Sequence, residues 1–329
     1  MDEHKITLVI WGHIMKTMTL EDRRYRKSFS QRLARDLKMN GGLYIMFIPV
    51  LLYFVLFRYL PMGGLIIAFE DYRPMKGMLG SSFVGFEHFR EFFSSPYFWR
   101  LLRNTLWISI SNLIFAFPAP IILALLLNEL TSKRFQKGIQ LVAYLPHFIS
   151  IIVVCGLISK FTSDNGIINS FLALFGFEKT SLLNVPKYFV PIYVISGIWT
   201  DMGWSSIIYF AALTGIDQSL YEAAVVEGAN RWQQTLNITL PGILSTIIVM
   251  LILQIGNLLN LGYEKIILLY NPITYETADV ISTYVYRKGI LEGSFSFSTA
   301  VGLFNSVVSF ILLIGANKIS RKIGEGSLW

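Results

Sequence analysis

The chain has 329 residues, of which 53% are hydrophobic and 15% charged, and its mean hydropathy is +0.54. A soluble domain carries about 25% charged residues, so this composition points to an all-α protein that crosses a membrane several times. Bases exceed acids, 28 Lys and Arg against 21 Asp and Glu, but their placement reads as a membrane orientation signal and not as a nucleic-acid surface. The lone cysteine, Cys155, excludes an intrachain disulfide framework and reads as a small packing residue in an apolar run.

Residues 1–41 are polar and basic, with Arg23, Arg24, Arg26, Lys27, Arg32, Arg35 and Lys38. The apolar patch Ile6–Trp11 is too short to span and has no clean cleavage site after it, so it reads as neither signal peptide nor anchor. A cytoplasmic tail resting on anionic membrane lipid is the expectation. Residues 42–319 then hold six predicted spans: Leu43–Leu60, Leu106–Leu127, Ile139–Ile158, Phe189–Leu213, Ile243–Leu261 and Ala300–Ile319. Each approaches the ~20 apolar residues that a bilayer requires. Bases gather before the first span, at Lys133, Arg134 and Lys137, and after the last at Lys318, Arg321 and Lys322. With alternating spans these places share one side, which makes that side and both termini, including the tail 320–329, cytoplasmic. The longer connections Gly63–Arg103, Phe161–Lys187 and Gly262–Ser298 then face outward, their aromatics forming an interfacial belt.

Prolines and polar residues inside the spans carry the functional hints. Pro118 and Pro120 are expected to break the second span, and Pro49, Pro146 and Pro191 mark others. Freed carbonyls are tolerated where protein or water can satisfy them, so such breaks belong in a bundle interior. Asp201 in the fourth span either faces a wet path or lies near the outer end of its helix, where it means little. Trp199, Trp204 and Tyr209 either stack on a ligand or pack, and Asn257 and Asn260 either line the same path or bond across helices.

The connection 214–241 is unlike an ordinary inter-span loop. Ser219-Leu220-Tyr221-Glu222 has the form of a capping box, with Ser219 as cap and Glu222 reaching back. Ala223 and Ala224 follow, and Gly228 marks a turn between two helices or a close backbone approach. Pro241 closes the stretch at the start of the next span. An amphipathic interfacial helix would account for Glu222-Ala223-Ala224 alone. The whole spacing, EAA-x3-G-x9-I-x-LP over Glu222–Pro241, resembles the EAA signature of inner-membrane permeases in binding-protein-dependent ABC importers. The segments Pro61–Phe93, Gly203–Asp217, Asn271–Tyr286 and Gly324–Trp329 extend the resemblance, toward the first-permease subunits of carbohydrate importers in the polysaccharide- and lipoprotein-associated branch.

That resemblance implies a six-span type I ABC importer transmembrane domain with a cytoplasmic EAA coupling helix. It implies a second homologous permease subunit, two ATP-binding subunits and an external solute-binding protein that delivers a carbohydrate, in a bacterial plasma membrane. Glu222 would pair with basic groups of the ATPase, Ala223, Ala224 and Gly228 would permit close approach, and Leu240-Pro241 would tie the loop to the fifth span. No G-x-x-x-x-G-K-[ST] occurs, so ATP and Mg are expected on the partner and no cofactor in this chain. No HExxH or Cys/His ligand spacing occurs either, and His4, His13, His88 and His147 read as ordinary polar side chains. A secondary transporter would need ion-linked carboxylates, of which Asp201 is the one obvious example, and a permease for a non-sugar solute would share the loop.

Overall fold

The computed structural model describes residues 29–324 and 327–328; the early basic tail up to residue 28, including Ile6–Trp11, lies outside the described residues. Contacts divide the chain after Gly64 into two units. The first holds helix α1, Phe29–Phe54, kinked at Asn40 and continued by a widened turn at Val55–Tyr59 and the short Leu60–Met62. Its apolar side chains from Leu43 to Met62 stay exposed, as suits a helix whose surroundings are lipid or protein outside its own unit.

The second unit starts with a minimal hairpin, β1 (Glu70–Asp71) antiparallel to β2 (Ser82–Phe83), and α2 (Glu87–Ser94). Helices α3 (Phe98–Ser111) and α4 (Pro118–Asn128) follow, joined by a widened turn at Asn112–Ala116. The expected break at Pro118 and Pro120 is therefore a widening: residues 98–128 run on as one long helix. Proline lacks an N–H and its ring collides with the carbonyl four residues back, so a turn enlarged by one residue lets the chain pass without unravelling. Phe117 N–H accordingly donates to the Asn112 carbonyl at 3.0 Å. The same device precedes Pro61, where Leu60 bonds back to Val55, and Pro241, where Leu240 bonds back to Thr235.

The third predicted span is not one helix. Helix α5 (Lys133–Tyr144) gives way to a tight turn at Leu145–Phe148, and α6 (Ile151–Thr162) starts anew. Pro146 removes a donor there, and Ile149 and Ser150 are extended, so the chain changes direction. The apolar run is instead Ile151–Ala173, which includes α7 (Ile167–Ala173). Helix α8 (Pro186–Leu213) has 28 residues, enough to cross, yet with Asp201 and several Tyr, Trp and Ser along it, it is not among the helices apolar enough to stand as a candidate span. After the loop containing α9 (Gln218–Val226) and α10 (Arg231–Gln234), α11 (Leu244–Gly256) leaves at a 59° bend from Arg231–Gly242. Short helices α12 (Tyr263–Leu269), α13 (Tyr275–Ala278) and α14 (Ile281–Tyr286) lead to α15 (Phe295–Ile323). Among the described residues four helices are long and apolar enough to cross a membrane, or five if the bent pair is one span.

Helix α8 organises the unit. It packs along α4, touches α13, and crosses α5 at Gly203, where a Cβ would lie 2.0 Å from the Ala143 carbonyl oxygen. Cys155 is buried beside Val154, Ile158, Phe189 and Ile266 in one core, as a small packing residue. Phe92, Leu101, Ile281 and Phe297 form a second core, and Ile121, Tyr209, Leu213 and Ile243 a third at the other end of α8.

Candidate functional site: a capped loop and a polar cavity

The loop 214–241 is ordered by its own hydrogen bonds. Helix α9 is capped by Asp217 and not by Ser219: the Ser219 amide donates to Asp217 Oδ1 at 3.0 Å. A carboxylate is the better acceptor for an orphan amide and favours the positive end of the helix, so it takes the cap two residues earlier. The amide and hydroxyl of Ser219 hold the Asp217 carboxyl below its usual range. Glu222 and Ala223 consequently lie on exposed helix, with Ala224 half-buried.

Gly228 ends α9. Its amide donates to the Val225 carbonyl at 3.0 Å, and the Ala229 amide donates to Ala224 at 2.9 Å. This crossed pair is the Schellman closure, which requires the left-handed φ of +82° found at Gly228. The four-residue step from Ala224 to Gly228 is thus the spacing of a helix stop. The turn read from the sequence is present, and within this chain no atom of the described residues lies within 4 Å of a Cβ at Gly228. Two residues on, Asn230 and Gln233 form a reciprocal capping box, at 2.9 and 2.8 Å, that starts α10.

Two side-chain contacts tie this helix pair to its surroundings. The Tyr221 hydroxyl bonds Thr239 Oγ1 at 3.0 Å, and Arg231 reaches Glu129 at 3.2 Å, just past α4. Thr239 is buried and Ile238 and Leu240 half-buried, whereas Pro241 is exposed at the bend into α11. Leu220, Val225 and Val226 of α9 and Trp232 of α10 leave apolar side chains open, with Val226 88% exposed. Exposed apolar side chains on an ordered helix pair are what surfaces that contact other proteins are commonly made of.

The second constellation sits along α8. Asp201 lies near the middle of the helix, not at an end. It accepts from Thr200 Oγ1 at 3.1 Å and meets His147 Nδ1 at 3.2 Å. The His147 ring stacks on Trp204 at 4.8 Å, and Phe148 meets that indole edge-on. Asp201 also lines a cavity of about 310 Å³ with Asn112, Ser205, Tyr209, Gln254 and Lys265. Asn257 and Asn260 line a neighbouring cavity of about 210 Å³ that shares Asn112 and Gln254 with the first. Asn260 also accepts from Asn305 Nδ2 of α15 at 2.8 Å, a bond across helices. Tyr209 is otherwise buried in the third core, while Trp199 lines a separate apolar groove with Phe135 and Pro146.

Sequence reasoning missed three groups: His147, 54 residues from Asp201; Lys265; and a buried ion cluster around Asp279. Asp279 is fully buried, pairs with Arg287 at 2.8 Å and Arg100 at 3.3 Å, and accepts from Thr283 at 2.9 Å. Burial alone would lower the Arg287 guanidinium, but the bonds and charge of Asp279 hold it above its usual value. Asn104 Nδ2 donates to the Asp279 carbonyl at 3.0 Å, so the cluster joins α3 to the turn before α14.

Residues 116–325 match the family described as binding-protein-dependent transport system inner membrane component. The chain is 49% identical to Protein LplB of Bacillus subtilis, over 89% of this chain and 92% of that one. It is 45% identical to the polygalacturonan/rhamnogalacturonan transport system permease protein YteP of the same organism, over 93% and 95%. Among solved structures, a chain of a bacterial ABC transporter that imports the acidic polysaccharide alginate superposes with a TM-score of 0.82 at 45% identity, covering 89% of this chain and 99% of that one. A second structure, the alginate transporter in complex with an alginate pentasaccharide-bound periplasmic protein, gives 0.83 at 45% identity over 90% and 100%. The chain belongs to the family of inner-membrane components of binding-protein-dependent transport systems.

Proposed function

We propose that the chain is one of two permease subunits of an ATP-driven importer that moves an oligosaccharide, handed over by an external binding protein, into a bacterial cytoplasm. The observation that carries this reading is the loop 214–241, a doubly capped helix pair with exposed apolar side chains, bonded to the bend of a span. Counting α8 and the bent pair as spans gives six crossings, and the basic clusters then put the loop and both termini in the cytoplasm. In that arrangement α9 docks on a separate ATPase, which holds the ATP and Mg. Glu222 meets bases of that subunit, and Ala223 and Ala224 let the helix seat closely.

The physical sequence of events follows from the contacts. Closure of two ATPase subunits displaces α9 and α10 as a rigid piece. Tyr221 passes the displacement to Thr239 and the bend before α11, and Arg231 passes it to the end of α4 through Glu129. Helices α4 and α8 pack against each other, so the cavities beside α8 open toward one face as the spans rock. A sugar ring suits those cavities, with amides and hydroxyls for its edge and Tyr209, Met202 and Met250 for its apolar face. The named relatives, with a polygalacturonan and an alginate transporter among them, favour an oligosaccharide over other solutes.

The test is purification of the chain from membranes under mild detergent. A nucleotide-hydrolysing subunit and a second permease are expected to come with it, and replacement of Glu222-Ala223-Ala224 by three lysines should release the hydrolase while the permease pair survives. A chain that transports sugar alone, driven by an ion gradient, would replace the reading with a secondary transporter.

A further inference from the structure

Lys265 has no part in the coupling route, yet it contributes the cationic group of the cavity beside α8. Its Nζ donates to the Tyr193 carbonyl at 3.0 Å and lies 4.6 Å from the Tyr193 ring centroid. An ammonium has three donors, so two N–H groups remain for whatever enters. Lys265 makes no ion pair within 4 Å among the described residues. Asp201 lines the same space, but its carboxylate is engaged by His147 at 3.2 Å and Thr200 at 3.1 Å. The rest of the polar lining, Asn112, Ser205 and Gln254, is neutral.

The ammonium is half-buried with no carboxylate within 4 Å among the described residues, the Asp201 charge reaching it only from across the cavity, so its solvation shell is completed best by a carboxylate arriving with the ligand. The cavity of about 310 Å³ is at the small end for ligand sites, which suits one ring at a time and not a whole chain. A ring entering here meets amides that bond hydroxyls, methionine and aromatic surface for its apolar face, and an ammonium with no carboxylate of the described residues within 4 Å. Resting on the importer reading above, we propose that Lys265 is a specificity residue that selects rings bearing a carboxylate, a uronate, over their neutral counterparts. Asp201 sharpens the choice: it repels a carboxylate that approaches from its side and so confines the acid group to the Lys265 end.

The experiment measures uptake of trigalacturonate and of its methyl ester, the same rings without charge, into proteoliposomes holding the complete permease–ATPase complex, with one binding protein throughout. The preference of the binding protein cancels when the acid-to-ester ratio of a variant is divided by that of the wild type. Lys265→Gln is expected to lower this ratio roughly 10- to 100-fold, the loss of one charge-assisted hydrogen bond, while Lys265→Arg retains most of it. Asp201→Asn supplies an independent arm and is expected to raise the ratio. An unchanged ratio in Lys265→Gln, an equal slowing of both substrates, or a falling ratio in Asp201→Asn overturns the proposal while leaving the importer reading intact. Wild-type complex that imports a neutral oligosaccharide but neither of these forms overturns this inference and leaves the importer reading intact, whereas one that hydrolyses ATP but imports no oligosaccharide its binding protein holds overturns both.

Discussion

Gly228 offers a graded test of the loop, because its environment isolates one variable. The residue has φ +82°, and no atom comes within 4 Å of the place a Cβ would occupy, so a substitution meets backbone strain and no clash. Left-handed backbone costs an ordinary residue about 1–2 kcal/mol, and Asn and Asp escape much of that through local hydrogen bonds. One to two kcal/mol shifts an equilibrium by a factor of about 5–30, here between the closed Schellman turn and a frayed helix end. The order expected is therefore Asn nearest to wild type, Ala lower, and Val lowest, since a β-branched residue is a true outlier at this φ. The assay is ATP hydrolysis by the lipid-reconstituted complex, with and without loaded binding protein, normalised to the amount of assembled complex. Gly228→Asp separates a second effect: it fits the turn about as well as Asn but adds a charge beside Glu227. Stimulation should be lost in Asp and kept in Asn, with both proteins present in the membrane. Equal stimulation in Val and Asn would refute the argument that the turn, and not only the surface, is what the glycine supplies.

Gly203→Ala is expected to be far more damaging, because its Cβ would fall 2.0 Å from the backbone oxygen of Ala143; a large loss of folded protein in a detergent thermal-stability assay checks it, and a neutral result contradicts the crossing of α5 and α8. Asp279→Asn strands Arg287 and Arg100 and should cost about 3–5 kcal/mol, whereas Asp279→Leu combined with Arg287→Met should recover much of it, both read as unfolding midpoints. Tyr221→Phe and Thr239→Val should each weaken binding-protein-stimulated hydrolysis by a comparable, modest factor, about 1 kcal/mol for a neutral hydrogen bond, and the double variant no further.

The loop was legible because its signals are local. Gly228 marked the turn between the two helices, whereas the capping box of Asn230 and Gln233, equally local, went unread. The misplaced cap illustrates the limit: Asp217 and Ser219 both qualify by type, and only the geometry shows which amide is left over. Long apolar runs located α3 with α4 and α15, but hydrophobicity carries no information on direction, so the turn at Pro146 was hidden inside a run that read as one span. Pro118 and Pro241 announced irregularity without saying that a widened turn would absorb it. The cavity was the least legible part. Asp201, His147, Lys265 and Gln254 come from separate helices or turns, and a polar residue in an apolar stretch reads the same whether it faces a cavity or a neighbouring helix.

The contact between α9 and a hydrolase can be observed directly. Cys155 is the chain's one cysteine and is buried, so Cys155→Ala with Ala223→Cys puts a single reactive thiol on the exposed face of α9. With a short bifunctional reagent in membranes containing the whole transporter, this thiol is predicted to cross-link to the nucleotide-hydrolysing subunit, and to be labelled by impermeant maleimide from the cytoplasmic side alone. Labelling from outside the cell, or a thiol that cross-links to no hydrolase in an actively transporting complex, would contradict it.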